Sequence, residues 1–443
     1  MMRFPSLPAV LSAASLLFSG SSLLAQESGE EVFEYQVDKV DWLTGEGVNL
    51  GGIVVPSLYL NATGGLFEPG ASPQDFATSE HDPLNEWSIQ AIHLHLDFEF
   101  SDTLRGLVSG FGHQAAHHIW EAELEEAKLL WRANDFLTIG GGQFLNRFGF
   151  QSDLHLHDWF FVNQNLANSR LLNEGELFTQ GGRVVMHLPK GGSLDFGFGG
   201  VRTHAHDHAH GGHGHGEEEH DHDEEHDHDE DGHDDHDEDH DHDHDHHAEH
   251  DHEHFEFDKA GFHSWVASAD YRFRLPFDDS ITGSLSLAVG ENGFGRSTGV
   301  YGIGFRKVWN GHDHGFGGPD FCTGAVMLQS EVIGRKVDAR LEDGDPIDFD
   351  DYGFSNSIHY GLSDAATISL RHDWISDVEI AGIDDRHRLS AAFTAYLDPA
   401  QRVRARLQYD YTQDSTLGSE HAAWFQIQLQ WGGIAGSHAG HGH

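Results

Sequence analysis

The sequence predicts an all-β fold, a transmembrane antiparallel up-and-down β-barrel of about 16 strands, with 14 or 18 as the neighbouring even solutions. Three observations lead there. Short segments alternate apolar and polar residues, as in Ile92-His93-Leu94-His95-Leu96-Asp97-Phe98-Glu99-Phe100, and a period of two is strand, not helix. The polar faces carry full charges at mid-strand, for example Arg402, Arg404 and Arg406. A dry sandwich core would reject such charges unpaired, whereas a water-filled barrel interior would accept them. Finally, the connections alternate short and long, the pattern of tight periplasmic turns and long outer loops.

Taken in order, residues 1–25 read as an export signal. Arg3 gives the positive start, Ala9 to Phe18 the apolar stretch, and Leu23-Leu24-Ala25 the cleavage region. Residues 26–48 form a short periplasmic segment, and 49–431 the barrel. No later stretch reaches the ~18 apolar residues of a membrane helix. Strands are expected near 49–60, 88–100, 103–113, 118–132, 135–145, 179–188, 193–203 and 259–274. They continue near 281–290, 297–309, 320–333, 349–361, 364–375, 385–397, 401–412 and 421–431. Long outer excursions are expected at 61–86, 146–178, 204–258, 334–347, 376–384 and 413–420. An even count leaves both ends in the periplasm, with 432–443 as a His-containing tail beyond the closing aromatic Trp431. The outer-membrane barrel-assembly machinery would have to tolerate that tail.

The fourth strand offers a check on lipid contact. Trp120 and Trp131 are eleven residues apart, which at ~3.3 Å per residue and ~45° tilt spans about 25 Å, the height of the lipid band. Their parity is opposite, so both can face lipid only if a bulge intervenes. The pattern changes phase at Glu125-Glu126, where that bulge is expected.

Composition narrows the partners. The formal charge is −49, and −26 remains after the 23 carboxylates of residues 204–254 are set aside, so nucleic-acid phosphate would be repelled. Cys322 is the single cysteine, which excludes an internal disulfide and Cys-based zinc modules; a buried inert thiol is expected. No His-Glu-x-x-His, Gly-x-Ser-x-Gly or P-loop signature occurs, so no enzyme chemistry is indicated.

The stretch 204–254 holds 20 His, 14 Asp and 9 Glu with no Lys or Arg. It cannot bury apolar surface, so a disordered, solvated external loop is expected. The spacing of 227–238 matches a calcium loop by composition alone, since Asp234 takes the apolar position and more His and Asp stand where helices should flank it. Solvation needs no histidine, however, and imidazole with carboxylate is a ligand set for divalent transition metals. Zn2+ is the expected ion, with copper, nickel or cobalt as alternatives. The expected ligands are His204, His206, His208, His210, His213, His215, His220, His222, His226 and His228. His233, His236, His240, His242, His244, His246, His247, His250, His252 and His254 complete the set. Full protonation would take the stretch from −23 to −3, 20 His against 23 carboxylates, around the ~6.5 reference value of imidazole. Metal retention by this stretch is therefore expected to fail between about pH 7.5 and 5.5; retention unchanged across that interval would contradict it.

Two further sets stand out. His113, His117 and His118 fall in the second outer loop, and His155, His157 and Asp158 in the third, where neighbouring loops could share one ion. Alternation also points His93, His95, Asp97, Glu99, Glu121, Glu123 and Glu125 inward from early strands. Arg371, Arg388, Arg402, Arg404 and Arg406 point inward from late ones. Acidic and basic walls would set a transverse field across a pore, or simply pair with each other.

Residues 124–189 carry a resemblance. A Gly142-Gln143-Phe144 strand is followed by His155-Leu156-His157 and Phe161-Val162-Asn163-Gln164, and then by the His/Asp-rich insertion. This resembles zinc-regulated outer-membrane receptor or porin-like proteins of Gram-negative bacteria, in which His155, His157, Phe161, Val162 and Gln164 fit the pattern. The resemblance implies an outer-membrane barrel linked to zinc uptake. Members are often labelled TonB-dependent, but residues 26–48 leave no room for a plug, so TonB coupling is not expected. The expected function is capture of zinc on the external loop and admission through the barrel. The alternatives are a general porin with an ion-buffering loop and a metal-storing β-protein without a pore.

Overall fold

The structure, a computed structural model, describes residues 43–433 apart from 46, 52, 68–80, 84–86, 115–119, 153, 202–255, 276, 314–318, 321, 342–343 and 399–400. The export signal, the His-rich stretch 204–254, the tail from 434, and His117 and His118 lie outside the described residues.

Sixteen antiparallel strands close into one barrel. They are β1 (Val54–Phe67), β2 (Ser88–Ser101), β3 (Leu104–Gln114), β4 (Trp120–Asn134), β5 (Leu137–Leu145), β6 (Phe178–Leu188), β7 (Gly192–Val201) and β8 (Phe262–Leu275). The wall continues through β9 (Asp278–Asn292), β10 (Ser297–Trp309), β13 (Val326–Arg340), β14 (Pro346–Ser363), β15 (Ala366–Ile375), β16 (Arg386–Tyr396), β17 (Val403–Asp414) and β18 (Gly418–Gly432). A small pair, β11 (His312–Asp313) and β12 (Pro319–Asp320), sits in the β10–β13 connection. Pairing of β1 with β18, from Ser57 opposite Gly432 to Phe67 opposite Ala422, closes the ring.

Alternation places the apolar residues outside. Leu94, Leu129, Phe198, Ile303, Leu370 and Leu407 are all exposed on the outer wall, a belt suited to hydrocarbon and not to water. The inner face is polar apart from a few apolar patches. No helix among the described residues is long and apolar enough to cross a membrane.

The interior differs from the expected water-filled lumen. Inward side chains that an open channel would wet are buried, with His93 at 1 % exposure, Arg406 at 2 % and Arg371 at 4 %. The connection 146–177, expected as an outer loop, folds into the barrel and covers them. Its apolar residues dock on three patches of the inner wall. Phe148, Leu171, Leu172 and Leu177 pack on Phe262, Val266, Val300 and Ile333. Leu156 and Trp159 pack on Ala91 and Phe111, and Val162 packs on Ala422 and Trp424. Two inward glycines of β10 make room, because a Cβ on Gly302 or Gly304 would lie 2.8 Å from the ring of Phe148 or Phe150 respectively.

A buried stretch without a sheet partner must still satisfy its backbone. The arginines of the wall do this. Arg404 donates to the His157 carbonyl at 2.6 Å, Arg406 to that of Trp159 at 2.6 Å, and Arg371 to that of Asn163 at 3.0 Å. Arg388 donates to the Gln164 carbonyl, Arg272 to Gly149 at 2.6 Å, and Arg335 to Arg170 at 3.1 Å. Within the segment, Asn165 caps the short helix Leu166–Leu171 by accepting from the Asn168 N–H at 2.8 Å.

Several strands run further than expected at the long-connection end. β13 reaches Arg340, β17 reaches Asp414 and β18 begins at Gly418, so the excursions expected at 334–347 and 413–420 shrink to 341–345 and 415–417. In the β13 extension Val337 and Ala339 are buried while Lys336 and Asp338 alternate with them, so no apolar lipid-facing row marks the strand in sequence there. Cys322 is exposed, not buried, with its Sγ 3.2 Å from the Asn310 carbonyl.

Candidate metal centre

The centre is assembled by a bulge. Ser109 of β3 faces Glu126, but the next residue, Gly110, faces Leu124. Glu125 is therefore the extra residue. Trp120 and Trp131 consequently both point outward, 53 % and 51 % exposed, while Glu125 and Glu126 both point inward and are buried. Two adjacent carboxylates enter the interior side by side, which a regular strand cannot do.

Four histidines meet them. His93 and His95 share the inner face of β2, and His155 and His157 flank Leu156 at the tight turn Leu156–Asp158 of the infolded segment. Leu156 anchors in its apolar patch and leaves the two imidazoles parallel, 5.6 Å apart at 8°. All six separations between the four ring centroids fall between 5.0 and 5.6 Å. Six near-equal distances among four points define a tetrahedron. Imidazoles that share one tetrahedral zinc, at Zn–N of about 2.0–2.1 Å, have centroids about 5 Å apart, so the rings are close enough to share an ion, although their ligand atoms come together only in threes.

The ligand atoms fall into two triads. Atoms of His93, His95 and His157 lie within 4.8 Å of one another, and so do those of His93, His155 and Glu125. His155 is held by both carboxylates, its Nδ1 2.8 Å from Glu125 and its Nε2 3.3 Å from Glu126. Lys128 approaches Glu126 at 2.7 Å, and His93 Nε2 lies 3.2 Å from Glu125 Oε2. Tyr59 stacks on His157 at 3.7 Å and 11°.

The two segment histidines are tuned oppositely. Burial opposes charge on His155, but the Glu125 carboxylate, aided by Glu126, holds its pKa well above the usual imidazole value. Burial pushes His157 well below that value; Asp158 acts against this, and the imidazoles of His95, His93 and His155 reinforce it. His157 is thus neutral and ready to ligate, whereas an ion taking His155 must displace a proton.

The other expected residues are distributed around this centre. His113 lies 3.6 Å from Glu121 and 6.3 Å, ring to ring, from His81, which approaches Glu176 at 3.2 Å. Among the described residues, the side chains that could complete a metal-ligand set with His155 and His157 come from the barrel wall and not from the second outer loop. Asp97, Glu123 and Asp158 are half-buried, and Glu99 is exposed near the β2–β3 turn. Arg388, Arg404 and Arg406 hold the segment, as described, and Arg402 donates to the Thr44 carbonyl at 2.8 Å. The basic wall therefore meets backbone carbonyls. Tyr59 and Glu126 stand outside the candidates drawn from sequence. The adjacent acids and the mismatched tryptophans are the signal for Glu126; nothing in the sequence marks Tyr59.

No protein-family model and no curated protein matches the chain. Among solved structures it is similar to the outer membrane channel DcaP of Acinetobacter baumannii, with TM-score 0.52, 7 % identity and coverage of 87 % of this chain and 100 % of that one. It is also similar to an anion-selective porin from Comamonas acidovorans, with TM-score 0.49, 10 % identity and coverage of 85 % and 99 %. OprD of Pseudomonas aeruginosa matches with TM-score 0.45 and 8 % identity, over 88 % and 98 % of the two chains. The likeness shows the fold: a closed antiparallel barrel of the porin-like type.

Proposed function

We propose that the protein is an outer-membrane channel for a divalent transition metal, with zinc as its cargo. Residues 204–254 gather the ion, and the buried histidine centre passes it through the barrel. The observation that carries this reading is the placement of the ligands. His93, His95 and Glu125 belong to the wall, His155 and His157 to the segment that fills the interior, and the ligand triads span the boundary between them. Around the centre the described side chains are packed closely, so an ion passing there meets these ligands directly. The donor set of imidazoles with one carboxylate suits zinc, copper or nickel and not the hard ions calcium and magnesium. Outside the barrel, many weak sites raise the local cation density, and the acidic field retains it.

The test is zinc flux into liposomes carrying the refolded protein, with and without residues 204–254. Flux that needs the barrel and falls at low zinc without the stretch is the expected result. Equal flux from both versions favours a general porin whose stretch only buffers ions. No flux from either contradicts the channel itself.

A further inference from the structure

The two triads share His93, whose two ring nitrogens face different neighbours. On one side His93 Nδ1 lies 3.4 Å from His157 Nδ1, within the triad completed by His95. On the other, His93 Nε2 lies 3.2 Å from Glu125 Oε2, within the triad completed by His155. A neutral imidazole offers one lone pair at a time, because its other nitrogen carries the proton. An ion on one side therefore leaves an N–H on the other, pointing at an acceptor: the Glu125 carboxylate or His157 Nδ1.

From this geometry we infer that the centre is a two-position site for one divalent transition-metal ion, with His93 as the pivot between a three-imidazole position and a two-imidazole, one-carboxylate position. Each position has three protein ligands, which leaves a tetrahedral ion one open coordination place. An ion so held can accept its next ligand before releasing the last, the requirement for conduction through sites that must bind and still let go. The donor sets differ by one negative charge, so the two positions differ in their hold on the cation. The shared ring keeps a second ion out while the first is in transit. The inference rests on the channel reading and specifies how the ion crosses the centre.

Anomalous diffraction at the zinc edge, on crystals of the full chain equilibrated with zinc, locates ions in the barrel whatever the His-rich stretch binds. The expected result is density on both sides of His93, with occupancies that sum to no more than one ion per chain. Glu125→Gln, near-isosteric, should move all of it to the His95/His157 side. His95→Ala should move it to the Glu125/His155 side, and His93→Ala should empty both. Two full positions at once overturn the inference, as does a single position bound by all four imidazoles. Density unmoved in both Glu125→Gln and His95→Ala overturns it too. Zinc flux through the same variants separates the two levels. Persisting wild-type flux without paired positions sinks the pivot alone, whereas no ion in the barrel and no flux sinks the channel reading as well.

Discussion

Replacing Arg371 and Arg406 together by methionine should raise the potassium conductance of the reconstituted barrel sharply. Arg406 is enclosed and donates to the Trp159 carbonyl at 2.6 Å and to Gln426 Oε1 at 3.0 Å. Arg371 donates to the Asn163 carbonyl and side chain at 3.0 and 2.6 Å. Methionine fills the space but donates nothing. Each orphaned buried carbonyl costs about 1–3 kcal/mol, which shifts the docked population of the segment by about 5- to 150-fold. The segment, not the wall, should give way, because every wall strand is paired on both sides around a closed ring. Single-channel recording with intact heat-modifiable migration checks this. Unchanged conductance in a folded double variant would show that the segment needs no arginine to stay docked.

The second large effect is expected at His93. Alanine there removes the one ligand common to both triads. Loss of outer-shell partners alone costs about 10–100-fold in metal affinity, so removal of a shared ligand should weaken zinc at the centre by about 100-fold or more. His113→Ala is the control. It is also a buried histidine beside a glutamate, 3.6 Å from Glu121, but belongs to neither triad. It should leave zinc affinity at the centre within about threefold. Equal losses in the two variants would mean that the triads have no special role.

Much of the barrel is legible in the sequence because its rule is local. Alternation at 92–100 and 402–411 marks strands directly, and the tryptophans of β4 demand the bulge that the register contains. The infolding of 146–177 is not legible in that way. Its residues form no long periodic element, and the partners that satisfy its backbone, Arg371, Arg388, Arg404 and Arg406, lie more than two hundred residues away. In sequence those arginines read as a charged pore wall. Only the fold shows that they bind carbonyls. The centre is intermediate. His155 and His157 stand out by their spacing, and His93 and His95 by their alternation, but nothing local joins a loop pair to a strand pair. Tyr59 contributes a ring face to His157 from a third strand, and no pattern announces such a contact.

The most direct test of the account is single-channel recording of the wild-type protein in potassium salt while zinc is added. If zinc crosses through the histidine centre, it should reduce the potassium current saturably as ions occupy the triads, and His93→Ala should remove that inhibition. A potassium current indifferent to zinc, or equally inhibited in wild type and His93→Ala, would contradict passage through the centre.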